Sequence, residues 1–442
     1  MDGASNLAEV IVSDPLAEML AAIARAVYPT VAELARDPTR GALFTGLHAA
    51  YWRSGWGAEF CERALADPLL AGVFHGPGRG QFLRPAEYHA SIILGPVYLT
   101  DGYLTGRQLA ILGVELLGHA TRGWLVDGTL TEEAYVQRAR AAVYDFRSLM
   151  SGEEILVTTV YGFTGVEIPE GTSISLPFGV LRSPLDTAER GLLHAEVLPE
   201  TSVFISTVGL RAFPGDDATE MFRVHGAPAR QAADDAARKA ALAVTLAVER
   251  DPPVGVAQAW SMMLTPWAPG LARTGNQPGL TTPYRVNAAD AEAIATMSRL
   301  IGTHYHERLG IAARRCLSAL GERRHPTDSL IDAMISLESL FTPASHEISF
   351  QLAASLSLLL EKDEGRRKAM FKHVKDLYGT RSRILHGGDD PSVPNVLDDS
   401  IDAATLAVRA LRTLFLERPD LITADDRVRR LVLQDRPPNP EG

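Results

Sequence analysis

Residues 364–388 read EGRRKAMFKHVKDLYGTRSRILHGG, and their spacing decides how the C-terminal third of the chain folds. Counting about 100° per residue from Phe371, a helix puts Val374, Leu377, Tyr378 and Leu385 between about 240° and 340°. That is one apolar stripe, the mark of a helix with a buried face. Gly387 and Gly388 supply the stop. Arg381 falls at about 280°, inside the stripe. A guanidinium keeps its proton in any protein environment and is costly to bury alone. Arg381 therefore needs a carboxylate partner or an anionic ligand such as a phosphate. Arg383, at about 120°, faces the other way.

Working outward, the helix through Leu330, Met334, Leu337 and Phe341 carries a matching anomaly. Glu338 falls at about 80° from Leu330, between apolar neighbours. Two readings stay open: a buried Glu338–Arg381 bridge that fixes helix packing, or a pair that orients a phosphate-binding arginine. The surrounding pattern predicts helices at 288–319, 327–341, 346–361, 364–386 and 398–417. Pro326 and Pro343 flank the second, and Pro391 and Pro394 sit in the loop before the last. Short connections between them imply an all-α antiparallel bundle over 287–420, followed by a tail at 421–442.

The rest of the chain has a different texture. Residues 1–150 read as mainly helical, with amphipathic runs from Asp14-Pro15, over Gly106 to Thr121, and from a Thr131 cap to Met150. Residues 151–286 form a β-containing middle region. It holds strand candidates at Ile155–Val160, Ile174–Val180 and Val203–Thr207, an Ala-rich helix over Ala227–Arg250 and a Pro-rich segment from Asp251 to Pro283. Pro177 demotes the second strand candidate to an edge or a bulge. The predicted fold class is thus multidomain and mainly α, with β structure in the middle.

Composition sets limits on function. Lys and Arg total 43 against 54 Asp and Glu, a formal charge of -11 over 442 residues. This acidic balance argues against non-specific coating of nucleic acid or anionic membrane. Cys61 and Cys316 cannot form a disulfide framework or a four-cysteine zinc site. With no visible secretory signal and no apolar run of about 18 residues, the expectation is a cytoplasmic protein without a membrane partner.

His386 closes the helix, where carbonyl dipoles favour its charged form, so it qualifies as an acid or base near neutrality. Arg381 and His386 are about 140° apart on a straight helix and share no face. Joint action requires the helix to unwind at the glycines or two copies to meet.

The run Tyr378-Gly-Thr-Arg381-Ser-Arg-Ile-Leu-His386-Gly387-Gly388, together with Ile335-Ser-Leu-Glu338-Ser-Leu340 upstream, resembles the HEPN superfamily in its ApeA-like branch. Arg314, Arg315 and Glu347 fit the same pattern, and the resemblance spans roughly residues 290–418. It implies a HEPN-like bundle acting as a metal-independent endoribonuclease, with no cofactor and no metal. Arg381 would stabilise charge on the scissile phosphate, and His386 would be the acid or base for 2'-hydroxyl attack. Glu338, Ser382 and Tyr378 would support them, and a homodimer through the bundle would bring arginine and histidine together. The resemblance also implies antiphage defence by abortive infection, with the upstream regions as sensor or regulator. The alternative it leaves is a non-catalytic dimerisation or RNA- or nucleotide-binding module, in which Glu338→Ala would cost about 3–5 kcal/mol as a broken buried pair.

Local charge points the same way. From Arg366 to Arg383 the basic residues Arg366, Arg367, Lys368, Lys372, Lys375, Arg381 and Arg383 stand against Asp376 alone. Such a basic patch in an acidic chain is either a solvated face or an RNA contact, with Lys372, Lys375 and Arg383 as the binding candidates. His304 and His306 are too far apart around a helix to share a metal. Gly270–Asn276 has P-loop glycine spacing but lacks the lysine. Trp52, Trp56, Trp260 and Trp267 form no stripe and read as core or loop anchors.

Overall fold

The computed structural model describes residues 14–36, 46–47, 49–51, 55–73, 106–128, 130–186, 189–190, 200–211, 227–266, 270–273, 282–341, 347–387 and 395–433. Trp52, Trp267, Pro343, Gly388, Pro391 and Pro394 lie outside them.

Helices dominate the first part: α1 (Pro15–Arg36), α2 (Trp56–Ala66), α3 (Pro68–Val73), α4 (Gly106–Arg122), α5 (Trp124–Asp127) and α6 (Glu132–Met150). Asp14 caps α1 by accepting from the Leu16 and Ala17 amides at 2.9 and 3.1 Å. Thr131 caps α6 as its sequence position predicts, accepting from the Ala134 amide at 3.3 Å. An unpaired N–H at each of these ends would otherwise weaken the first turn.

The middle region builds a sheet from β1 (Ile155–Thr164), β3 (Ser173–Leu176), β4 (Gly179–Arg182), β5 (Ser202–Leu210), β6 (Ala257–Leu264) and β7 (Gly270–Arg273). A short parallel pair, β2 (Val166–Glu167) and β8 (Tyr284–Arg285), stands apart. The sheet order is β3-β4-β5-β1-β6-β7, and each neighbouring pair is antiparallel. Here the structure corrects two expectations. The Ile174–Val180 run is a hairpin, because Pro177 cannot donate to a ladder and turns the chain with Phe178; β3 does lie at the sheet edge. The Pro-rich segment hides two strands, one of them the inner strand β6. Most of β6 is buried, so its sequence lacks the polar-apolar alternation that marks a half-exposed strand. Helix α7 (Ala227–Ala247) lies on β5, and Tyr161 on β1 donates to Asp234 Oδ1 at 2.8 Å.

The C-terminal part is helical: α8 (Ala288–His304), α9 (Gly310–Leu317) running into a π-helical turn (Ser318–Glu322), α10 (Pro326–Phe341), α11 (Ile348–Leu360), α12 (Glu364–Gly387), α13 (Val396–Leu416) and α14 (Arg427–Val432). The stretch read as helical over 288–319, which holds Gly302 and Gly310, is not one continuous rod. His306 takes up a capping role, its Nδ1 accepting from the Arg308 amide at 3.3 Å, and a 3-10 turn (Glu307–Leu309) separates α8 from α9. Residues 421–433, read from the sequence as tail, pack into the bundle rather than trailing from it. Leu421, Ile422 and Leu431 are buried, and Arg427 donates to the carbonyls of Leu421, Leu340 and Ile422 at 2.6, 2.6 and 2.8 Å.

One buried cluster runs from Leu16 to Leu431 through all three parts, while a smaller one around Trp260, Val160 and Val203 fills the other side of the sheet. The described residues are mostly helical, and among them no helix is long and apolar enough to cross a membrane.

Candidate functional site

The site residues sit on α12 and on the helix beneath it, α10. Helix α12 packs against α11, α10 and α13. Val374 and Leu377 are buried, Met370, Phe371, Tyr378 and Ile384 pack on the core, and Arg381 falls among them. The buried line therefore steps through 370, 374, 377, 381 and 384, alternating three and four as an a/d seam does. Arg381 occupies a seam position where an apolar side chain would ordinarily stand. Leu385, assigned to the stripe on sequence, is instead 50% exposed, because the seam passes through Ile384, its neighbour one position earlier.

Arg381 reaches α10. Its Nη2 donates to Glu338 Oε2 at 3.5 Å, and the guanidinium carbon lies 5.7 Å from the Tyr378 ring centroid. The side chains are 21% and 18% exposed, so the pair is half-buried rather than sealed. Among the described residues, Arg381 Nε has no hydrogen-bond partner. Burial pushes the Glu338 carboxyl above its ordinary range, and the Arg381 charge pulls it part of the way back. Both open readings of the pair thus retain a physical basis: a packing bridge, and a half-buried cation that Glu338 meets through one long hydrogen bond. Ser382, beside Arg381, is half-buried.

The other candidates lie on a different face. At about 100° per residue from Phe371, Lys368, Lys372, Lys375, Arg383 and His386 all fall between about 40° and 120°. All of them are exposed, which makes this a continuous cationic stripe ending in an imidazole. Lys368 pairs with Glu364 at 2.7 Å, Lys375 sits 5.9 Å from the Phe371 ring centroid, and Arg383 Nη2 donates to Thr380 Oγ1 at 3.1 Å. Gly379 lies in the middle of this face, and a side chain added there would meet nothing within 4 Å. Because α12 stays helical through Gly387, His386 and Arg381 remain about 140° apart. One copy of the chain does not bring them together.

Sequence reasoning missed the second carboxylate on α10. Asp332 is buried, accepts Ser318 Oγ at 2.8 Å and Arg323 Nε at 2.6 Å on Oδ2, and accepts Arg315 Nη1 at 2.5 Å on Oδ1. No helical-wheel signal marked it: Asp332 falls at about 200° from Leu330, outside the apolar stripe that singled out Glu338.

No family model matches this chain, and neither a curated protein nor a solved structure is detectably similar to it.

Proposed function

We propose that the C-terminal bundle is a HEPN-type, metal-independent endoribonuclease of a cytoplasmic antiphage system, acting as a homodimer, with the helical and sheet-containing parts before it as its regulator. The observation that carries this reading is the division of labour on α12. One face is an exposed line of Lys368, Lys372, Lys375 and Arg383 running to His386, suited to the phosphodiester backbone. Another face offers Arg381, half-buried, oriented by Glu338 and by the Tyr378 ring. A ribose-linked phosphate between two copies would receive the arginine of one and the histidine of the other. The imidazole then takes the 2'-hydroxyl proton or protonates the leaving 5'-oxygen, the guanidinium stabilises the charge that grows on phosphorus-bound oxygen, and a cyclic phosphate and a 5'-hydroxyl result.

The test is cleavage of a labelled RNA in EDTA by wild type, Arg381→Ala and His386→Ala. Wild type should cut and each variant should not, while an equimolar mixture of the two variants should regain activity, because a mixed dimer holds one intact Arg381–His386 combination. Equal cleavage by all three proteins overturns the assignment. The separation of Arg381 from His386 within one chain favours a second reading, a non-catalytic RNA-binding module with a structural Glu338–Arg381 pair. That module binds RNA through Lys372, Lys375 and Arg383, cuts nothing, and is indifferent to His386→Ala.

A further inference from the structure

Aromatic rings are covered almost everywhere in the described structure. Among the described residues every phenylalanine, tyrosine and tryptophan is buried or half-buried except Phe350, which is 55% exposed. Phe350 stands in the first turn of α11 and meets Phe371 of α12 edge to face, with ring centroids 5.6 Å apart and planes at 72°. Phe371 packs on the core and anchors the pair. One exposed apolar side chain is ordinary by itself. Its neighbours are what give this one a use.

The two rings border the cationic face of α12. Counting about 100° per residue from Phe371, Lys375 and Lys372 follow at about 40° and 100°, and both are exposed. Lys375 Nζ lies 5.9 Å from the Phe371 ring centroid, so the ring places that charge at the border without neutralising it. The acids nearby are engaged or stand aside. Glu364 holds Lys368 at 2.7 Å, Glu361 takes Arg409 at 2.9 Å, and Asp402 of α13 meets His373 at 3.4 Å. Asp376 falls at about 140°, on the far flank of the face, and Glu347, one turn before Phe350, is exposed. Gly379, at about 80°, leaves the middle of the face open, so a bound chain can lie close to the helix backbone there.

We propose that Phe350, backed by Phe371 and flanked by Lys372 and Lys375, is a base-stacking platform that makes α12 take single-stranded rather than duplex RNA. A single strand offers both things this patch can hold: unstacked base faces for the ring and phosphates for the lysines. Duplex RNA keeps its base faces inside its own stack and leaves the ring nothing to cover. A second copy of the chain meeting this patch about a two-fold axis would set the same lysines against each other. Every base has a π-face, so the platform selects strandedness and not sequence. A strand seated on it runs along the lysines and over Gly379 to His386, about 21 Å from Lys372 at 1.5 Å per residue. The platform rests on the reading of α12 as an RNA-binding face, and it acts whether or not the RNA is cut.

Fluorescence anisotropy of the full chain tests it, with a labelled twelve-nucleotide 2'-O-methyl RNA as single strand and as duplex. Without a free 2'-hydroxyl neither form undergoes internal attack, so binding is read apart from cleavage. The single strand should bind more tightly than the duplex. Phe350→Ala and Phe350→Leu should each weaken single-strand binding about five- to a hundredfold, and Phe350→Trp should keep it. A strand of the same length without bases should bind wild type and Phe350→Ala alike. Because the ring is exposed, these variants should melt like wild type. Single-strand affinity indifferent to Phe350→Ala, Phe350→Leu binding like wild type, or a duplex bound as tightly as the single strand would overturn the platform. So would Phe350→Ala splitting an oligomer while RNA binding stays intact, which assigns the patch to a contact between copies. Binding that depends on Phe350, with no cleavage of ordinary RNA by wild type, sustains the platform and removes the nuclease. Cleavage by wild type with binding indifferent to Phe350 does the reverse.

Discussion

Helix α10 carries two carboxylates on its packed side, and they live in different worlds. Asp332 is 3% exposed and takes two arginines and a serine at hydrogen-bond distances of 2.8 Å or less. Glu338 meets Arg381 at 3.5 Å, with both side chains about one-fifth exposed. A short, multiply bonded, buried carboxylate is a structural clamp, since removing it leaves oriented donors facing nothing. A long, half-buried contact holds a cation in place without consuming it. The same helix therefore fixes the connection from α9 at one end and presents a usable guanidinium at the other.

The largest expected effect separates these roles by activity. Arg381→Ala should lower RNA cleavage by about 10²–10³-fold, the loss seen when one donor to a developing oxyanion is removed. Asp332→Ala should leave the folded fraction active, and comparing initial rates per folded molecule checks both. Next in size is stability. Asp332→Ala should cost about 2–3 kcal/mol in urea denaturation, from charged hydrogen bonds lost beside the buried Ser318 hydroxyl. A loss no larger than that of a surface substitution would erase the contrast between the two acids.

Glu338→Ala should cost about 1–2 kcal/mol in the same measurement, less than the 3–5 kcal/mol of a sealed pair, because solvent reaches what remains. The smallest effect is in pH dependence. The Glu338 carboxyl is raised in the folded chain by burial, with Arg381 opposing the rise. Its contribution favours folding while the carboxyl is protonated and is lost as pH rises through the folded-state value. Arg381→Ala removes the opposing charge and lifts that value further. The variant's deficit relative to wild type should thus be larger at pH 8 than at pH 5, by about 1 kcal/mol. Parallel stability curves across that range would show that Arg381 does not hold the carboxylate.

Arg427 shows the limit of reading a buried cation from a stripe alone. It sits in the segment 421–433, is 6% exposed, and is satisfied by three backbone carbonyls without any acid. Burial lowers its pKa to about 10, with the Arg308 charge adding to the effect. The stripe at Arg381 revealed that a partner was required and Glu338 supplied it. At Arg427 there was no stripe long enough to raise the question, and the partners are main-chain atoms that no sequence pattern marks.

From the sequence alone came most of the long helices, the Thr131 cap and the two mismatched charges on α10 and α12, because helical periodicity and capping act over a few neighbouring residues. Tertiary structure alone set the sheet order, with inner strand β6 drawn from a Pro-rich stretch, the return of residues 421–433 into the bundle, and the cleft between the sheet side and the bundle. Each of these depends on segments far apart in the chain meeting in space: Arg250 and Arg324 share a cavity only because the sheet-side loop and the π-helical turn abut at Gly255 and Gly321. Local spacing carries no information about such meetings, which are set by which apolar faces bury one another.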